Sequence, residues 1–140
     1  MAVTAKYVRP LEGSITRLVK AGGAIAMGDA AYLDTDGDWL EADANVSAVA
    51  AAARAVVVAV NEPGETTAAD QDAIEICVFG PVGGFSGLTP GARLFVSSTA
   101  GELTHTAPTG AGTWTAPMGY ALTDSIVFVE PGIAAPTSNS

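Results

Sequence analysis

The sequence predicts a mainly β protein: a small β-sandwich or barrel of short hairpins, with at most one short helix and an extended N-terminal arm. Two patterns and one compositional fact carry that expectation. Short β-branched or apolar runs recur along the chain, and turn residues break them at intervals of roughly 8–12 residues. The composition is rich in small residues and poor in large ones, with 49% hydrophobic residues of which many are alanine, and only 6% aromatics. A mean hydropathy of +0.34 with so many β-branched residues opposes disorder.

Residues 1–14, MAVTAKYVRPLEGS, read as an extended basic arm. Four of the six Lys and Arg residues (Lys6, Arg9, Arg17, Lys20) fall in the first twenty positions beside one acid, Glu12, although the whole chain carries −9. Pro10 fixes its own φ and biases Arg9 toward β or polyproline geometry. Residues 15–132 read as one β-rich domain. Its expected strands are 15–20, 30–33, 39–41, 56–60, 74–79, 93–97, 119–122 and 126–129. The expected breaks include Gly22 with Gly23, Asp36 with Gly37, Pro63 with Gly64, Gly83 with Gly84, and Pro90 with Gly91. Residues 45–54, NVSAVAAAAR, are the exception: Asn45 or Ser47 can cap a helix and alanine favours one. The last segment, 133–140, has nothing to pack and reads as a flexible tail.

An internal echo lies at an offset of 63 residues. Gly28 matches Gly91, Tyr32 matches Phe95, Leu33 matches Val96, Leu40 matches Leu103 and Ala44 matches Ala107. Each stretch reads as turn, strand, tight turn, strand, and NEPG at 61–64 pairs with VEPG at 129–132 after a small shift. A pseudo-twofold β domain and independent convergence of hairpin chemistry both explain it.

Catalytic chemistry finds little support. His105 is the single histidine, and the alternation of LTHT makes it a hairpin surface residue. Ser86 in GFSGL lacks the final Gly and the following helix of a nucleophile elbow. The acids Asp34, Asp36 and Asp38 miss the EF-hand spacing, because Trp39 falls where Gly is required and Asn45 where Glu is required. Asp36 and Gly37 instead suit a two-residue type I′ hairpin turn. Asp29, Glu41 and Asp43 read as a solvated face. The pairs Glu62 with Glu65 and Asp70 with Asp72 lie in a loop without aromatic walls, and Gly22–Gly23 and Gly83–Gly84 lack a phosphate loop's Lys and helix. Cys77 in an apolar run reads as a buried small hydrophobe. The expectation is a protein that is not an enzyme and takes no metal and no cofactor. The acidic balance gives no footprint for nucleic acid, and no apolar run reaches the ~20 residues of a membrane span.

Four stretches resemble the head decoration, or capsid cement, proteins of tailed bacteriophages. They are MAVTAKYVRPLEGSI with AGGAIAMGDAAYLDTDGDWLEAD, then GFSGLTPGARLFVSSTAGELTHTAP, then APMGYAL. The resemblance covers most of residues 10–132 and rests on turn-and-hairpin patterns, so no catalytic residue comes with it. It implies a virion protein on the capsid exterior, made in the host cytoplasm. Such a protein bridges subunits of the major capsid protein, commonly as a homotrimer. In that setting the arm is the expected contact: Tyr7, Val8 and Leu11 as apolar anchors, Lys6 and Arg9 as partners for acids. A receptor- or glycan-binding appendage is the alternative, with Trp39, Trp114 and Tyr120 as stacking platforms.

Overall fold

The computed structural model describes residues 3–60 and 64–139. It is mainly β, a curled antiparallel half-barrel sheet with one short helix. The strands of the first half are β1 (Thr4–Pro10), β2 (Ile15–Lys20), β3 (Ile25–Ala26), β4 (Ala30–Leu33), β5 (Trp39–Glu41), β6 (Ala55–Val60) and β7 (Thr67–Ala68). Then come β8 (Ala73–Ser86), β9 (Arg93–Val96), β10 (Leu103–Thr104), β11 (Thr113–Thr115), β12 (Pro117–Ala121), β13 (Ile126–Val129) and β14 (Thr137–Asn139). All eight expected strands form, four of them with the expected bounds. The helix α1 (Ala48–Ala51) is shorter than the 45–54 window. Ser47 caps it, its Oγ accepting the Ala50 N–H at 3.1 Å. One turn of helix is not stable alone, and burial of Ala50 and Ala51 holds it.

Strand β8 is 14 residues long and runs through the middle of the sheet, whose lateral order is β10-β9-β12-β13-β8-β6-β4-β5. Strands β1 and β2 also pair with β8. Gly83 and Gly84 therefore lie inside a strand and not in the expected turn. Their smallness serves a close approach instead: a Cβ on Gly84 would stand 2.5 Å from the Tyr7 carbonyl oxygen and 2.6 Å from Val8 Cα, at φ +99°. Gly80, at φ +115°, plays the same part under the link from β1 to β2, where a Cβ would stand 2.6 Å from Ser14 Cα. The segment read as an arm is extended, and it is hydrogen-bonded into the sheet.

The echo reaches far beyond one hairpin. Strands β2, β4, β5, β6 and residues 73–79 of β8 form one unit, in lateral order β2-β8-β6-β4-β5. Residues 80–83 of β8 with β9, β10, β12 and β13 form a second, in the matching order β8-β13-β12-β9-β10. Registers match as well. Lys20 faces Ala73 as Gly83 faces Ile126, and Ala30 faces Val56 as Arg93 faces Tyr120. The Gly28 N–H donates to Val57 O and the Val57 N–H to Asp29 O; Gly91, Ala121 and Ala92 repeat both bonds. Leu33 faces Trp39 as Val96 faces Leu103, so the partner of Leu103 is Trp39, not the expected Leu40, and the second hairpin carries one extra residue. NEPG follows β6 whereas VEPG ends β13, so those two segments are not equivalent; residues 61–63 lie outside the described residues.

The units do not meet as a twofold pair. The inner residues of the first (Ala31, Val57, Ile74, Ile76) pack with Ile25, Trp39 and Ala68 from β3, β5 and β7. Their equivalents in the second (Leu94, Ala121, Val127, Val129) lie in another core, which also takes in Ala30, Val56, Val58 and Cys77 from the outer face of the first unit. Unlike faces are thus in contact, a heterologous arrangement, whereas a twofold axis sets like against like. The expected pseudo-twofold is replaced by a head-to-tail duplication.

Two local expectations also change. The Asp34–Asp38 turn is a three-residue loop and not type I′: the Gly37 N–H donates to Asp34 O at 3.0 Å, and only Gly37 has positive φ. A type I turn followed by a left-handed Gly has this pattern. The tail is not loose, since Thr137–Asn139 pairs with Thr113–Thr115 and the Asn139 side chain donates to Pro108 O at 2.7 Å. A run of polar residues carries no burial signal, and here backbone pairing and the Asn139 side-chain hydrogen bonds seat it.

Gly84→Ala is expected to destabilise the fold by about 2–4 kcal/mol in denaturant unfolding, from backbone overlap and left-handed strain together. Gly13→Ala, at φ +92° but with nothing within 4 Å of the new Cβ, is expected to cost only about 1 kcal/mol.

Candidate functional site

The arm residues are set out by a bulge. In the pairing of β1 with β8, Thr4 faces Ser86 and Ala5 faces Phe85, and the next partners are Arg9 and Gly83. Lys6, Tyr7 and Val8 therefore oppose Gly84 alone. The excess is taken up by Tyr7, whose φ is +58°, a left-handed conformation that costs a non-glycine residue about 1 kcal/mol or more. Tyr7 is 79% exposed, and Lys6 Nζ lies 5.3 Å from its ring centroid. Arg9 reaches back to the Tyr7 carbonyl at 3.5 Å.

The five expected contact residues thus divide. Lys6, Tyr7 and Arg9 stand together on the solvent side. Val8 is 5% exposed and belongs to the larger core, so it is an anchor for its own chain and not for a partner. Leu11 is half-buried, and its N–H donates to Pro81 O at 3.0 Å. A groove of about 600 Å³ runs beside Tyr7, between β1 and the 64–66 segment, with Ala26 and Met27 in its lining. The bulge was not foreseen. Its trace in the sequence is the Gly83–Gly84 pair, which within a strand marks close backbone approach.

Asp29 departs from the solvated face expected of it. It sits in the first turn of the repeat, where its Oδ2 accepts the Ala26 N–H at 2.8 Å. A Cβ on Gly101 would meet both its carboxyl and that of Glu41 within 2.8 Å. Burial pushes its pKa up from 3.8 to about 7; the Ala26 bond opposes this, while a hydrogen bond to Glu41 and the charges of Glu41 and Glu102 add to it. The carboxyls of Asp29 and Glu41 approach each other beside a gap that only glycine at position 101 leaves open.

The remaining candidates are absorbed by structure. His105 Nε2 accepts the Thr89 N–H at 3.1 Å, tying β10 to the loop before β9. Cys77 is buried, its Sγ 3.4 Å from Phe79 O, and burial raises its pKa. Trp39 is buried in the first unit, Trp114 packs half-buried against the larger core, and Tyr120 stacks on Phe128 at 5.3 Å. Those three aromatics form no common platform. Glu62 lies outside the described residues. Among the described residues no group of three or more His, Cys, Asp or Glu side chains could hold a metal ion, and no helix is long and apolar enough to cross a membrane.

These features define a class by architecture: a head-to-tail duplicated β unit sharing one central strand. Comparison adds no family to that description, because no family model, curated protein or solved structure matches the chain.

Asp29 supplies a pH prediction. A carboxyl whose folded pKa is raised contributes its stability below about pH 4, and loses it as pH rises toward 7. Asp29→Asn mimics the protonated form. It is expected to raise stability by about 1–2 kcal/mol above pH 7, after allowance for solvent screening, and by nothing near pH 3.5. Thermal unfolding across that range checks the sign. A second expectation is that Cys77 reacts with a thiol reagent only as fast as the protein unfolds, which stopped-flow labelling against unfolding rate tests.

Proposed function

We propose that this protein is a structural virion component that binds the outer surface of a tailed-phage head and stabilises it by bridging major capsid protein subunits. The observation that carries the reading is the Lys6–Tyr7–Arg9 knuckle, an exposed aromatic between two cations on a strained bulge of an edge strand. Local strain of this kind persists where a site requires it. The knuckle concentrates positive charge on a chain of net charge −9, so a shell surface bearing carboxylates selects this side of the molecule. The resemblance to decoration proteins supplies the partner. Many weak contacts suffice on a shell, because each becomes intramolecular once neighbouring contacts have formed.

Binding to expanded heads that lack the protein tests this. Lys6→Glu with Arg9→Glu is expected to lower occupancy at least about tenfold, and more at low salt than at high salt. Tyr7→Gly separates the two roles of that residue: it relieves the left-handed strain and raises stability by up to about 1 kcal/mol, yet lowers occupancy. Wild-type occupancy in both variants refutes the reading. Deleting residues 2–11 is a poorer test, because it also removes Val8 from the core.

A further inference from the structure

The duplication points to a second surface. In the first unit the outer face, with Ala30, Tyr32, Val56 and Val58, packs against or belongs to the larger core that the second unit completes. The equivalent positions of the second unit are Arg93, Phe95, Tyr120 and Leu122, by the matched registers. Among the described residues no further unit covers the second, and there this face meets solvent. Phe128 and Phe79 extend it: Phe128 stacks on Tyr120 at 5.3 Å, and Phe79 meets Phe128 edge to face at 5.2 Å. Arg93 lies over Phe95 at 5.4 Å. Phe79 is 42% exposed and Leu122 46% exposed. Four of the nine aromatic residues of the chain are therefore gathered on an uncovered sheet face.

We propose that this face pairs with the same face of a second copy of the chain. Three observations select that occupant. Within the strand bounds the outward positions of β8 after Val78, and of β9, β12 and β13, hold no carboxylate, and Glu130, the next outward position after Phe128, stands at the rim, although the chain has 15 acidic residues. Two bodies of net charge −9 approach most easily where the centre of the contact presents no acid. Of the other exposed large apolar residues, Ile15 faces Phe79 and adjoins this face, whereas Tyr7, Leu18, Leu33, Val46, Val49 and Ile133 are scattered over the chain, so among the described residues the matching apolar surface is this face itself. Its size also fits. Four strands about 4.8 Å apart present roughly 300–400 Å², the apolar centre of an interface that buries about 800 Å² per partner with its polar rim. The corresponding face of the first unit is covered within the chain, there by the inner face of the second unit.

The proposal needs no capsid, so its test is separate from that of the virion reading. Sedimentation equilibrium of the full chain from about 1 to about 200 µM is expected to show a monomer–dimer equilibrium. Leu122→Glu and, separately, Phe79→Glu are expected to weaken it about 100-fold or more with an unchanged far-UV circular dichroism spectrum. Leu18→Glu, 81% exposed on β2 away from this face, is expected to leave it intact. Hydrogen exchange on the unmodified protein needs no variant: amides of Ile126–Val129 should slow with concentration and those of Thr137–Asn139 should not. A wild-type monomer at the highest concentration overturns the proposal. So does any oligomer that survives both variants, or one that Leu18→Glu also dissociates.

Discussion

The structure depends on one strand serving two units. Strand β8 ends the first unit with residues 73–79 and begins the second with residues 80–83. For both to pack, its faces must change over at the junction. The register slip at residues 77–79 and the positive φ of Gly80 achieve this. Before the slip, Ile74 and Ile76 face the smaller core and Cys77 the larger; after it, Val82 faces the larger core and Phe79 faces solvent. The β1–β2 link crosses β8 at the same place, and only a glycine leaves room for its backbone. Any side chain at Gly84 would push β1, and Val8 with it, off the sheet, and one at Gly80 would displace the link at Ser14.

Sharing a strand makes the duplication economical but unequal. The two units differ in what covers their outer faces and in the link before their last strand. In the first, residues 64–72 carry β7, which pairs with β3 and roofs the smaller core. In the second the offset falls from 64 to 53 residues, so β12 and β13 are joined by a short turn with no room for a roof. The inner core of the second unit is closed instead by the outer face of the first. Alanine-rich composition fits this plan, because Ala30, Ala42, Ala44, Ala51 and Ala53 let whole units approach without a thick layer of side chains.

The knuckle and the open face divide the functional surface. The knuckle carries two of the six basic residues and a strained tyrosine; the open face carries aromatics and Arg93, with Glu130 at its rim. The raised pKa of Asp29 has its consequence for stability.

Much of the fold was legible from residues alone. Strands such as Ile15–Lys20 and Ala30–Leu33 are bounded by turn residues, and local backbone preference decides them. The single helix, the β class and the first trace of a repeat follow from the same short-range chemistry. The short strands β3, β7, β10, β11 and β14 have two or three residues each and leave no period to read. Val8 and Tyr7 could not be separated by type, because a bulge, invisible in a seven-residue strand, turns one inward and the other out. The sequence by itself determined which segments are strands, where the chain turns, and that its charge is divided. Tertiary structure alone decided that β8 belongs to two units, that unlike faces meet, and which aromatics remain uncovered. Those outcomes depend on register between strands distant in sequence, where a one-residue slip exchanges the inside of a sheet for the outside.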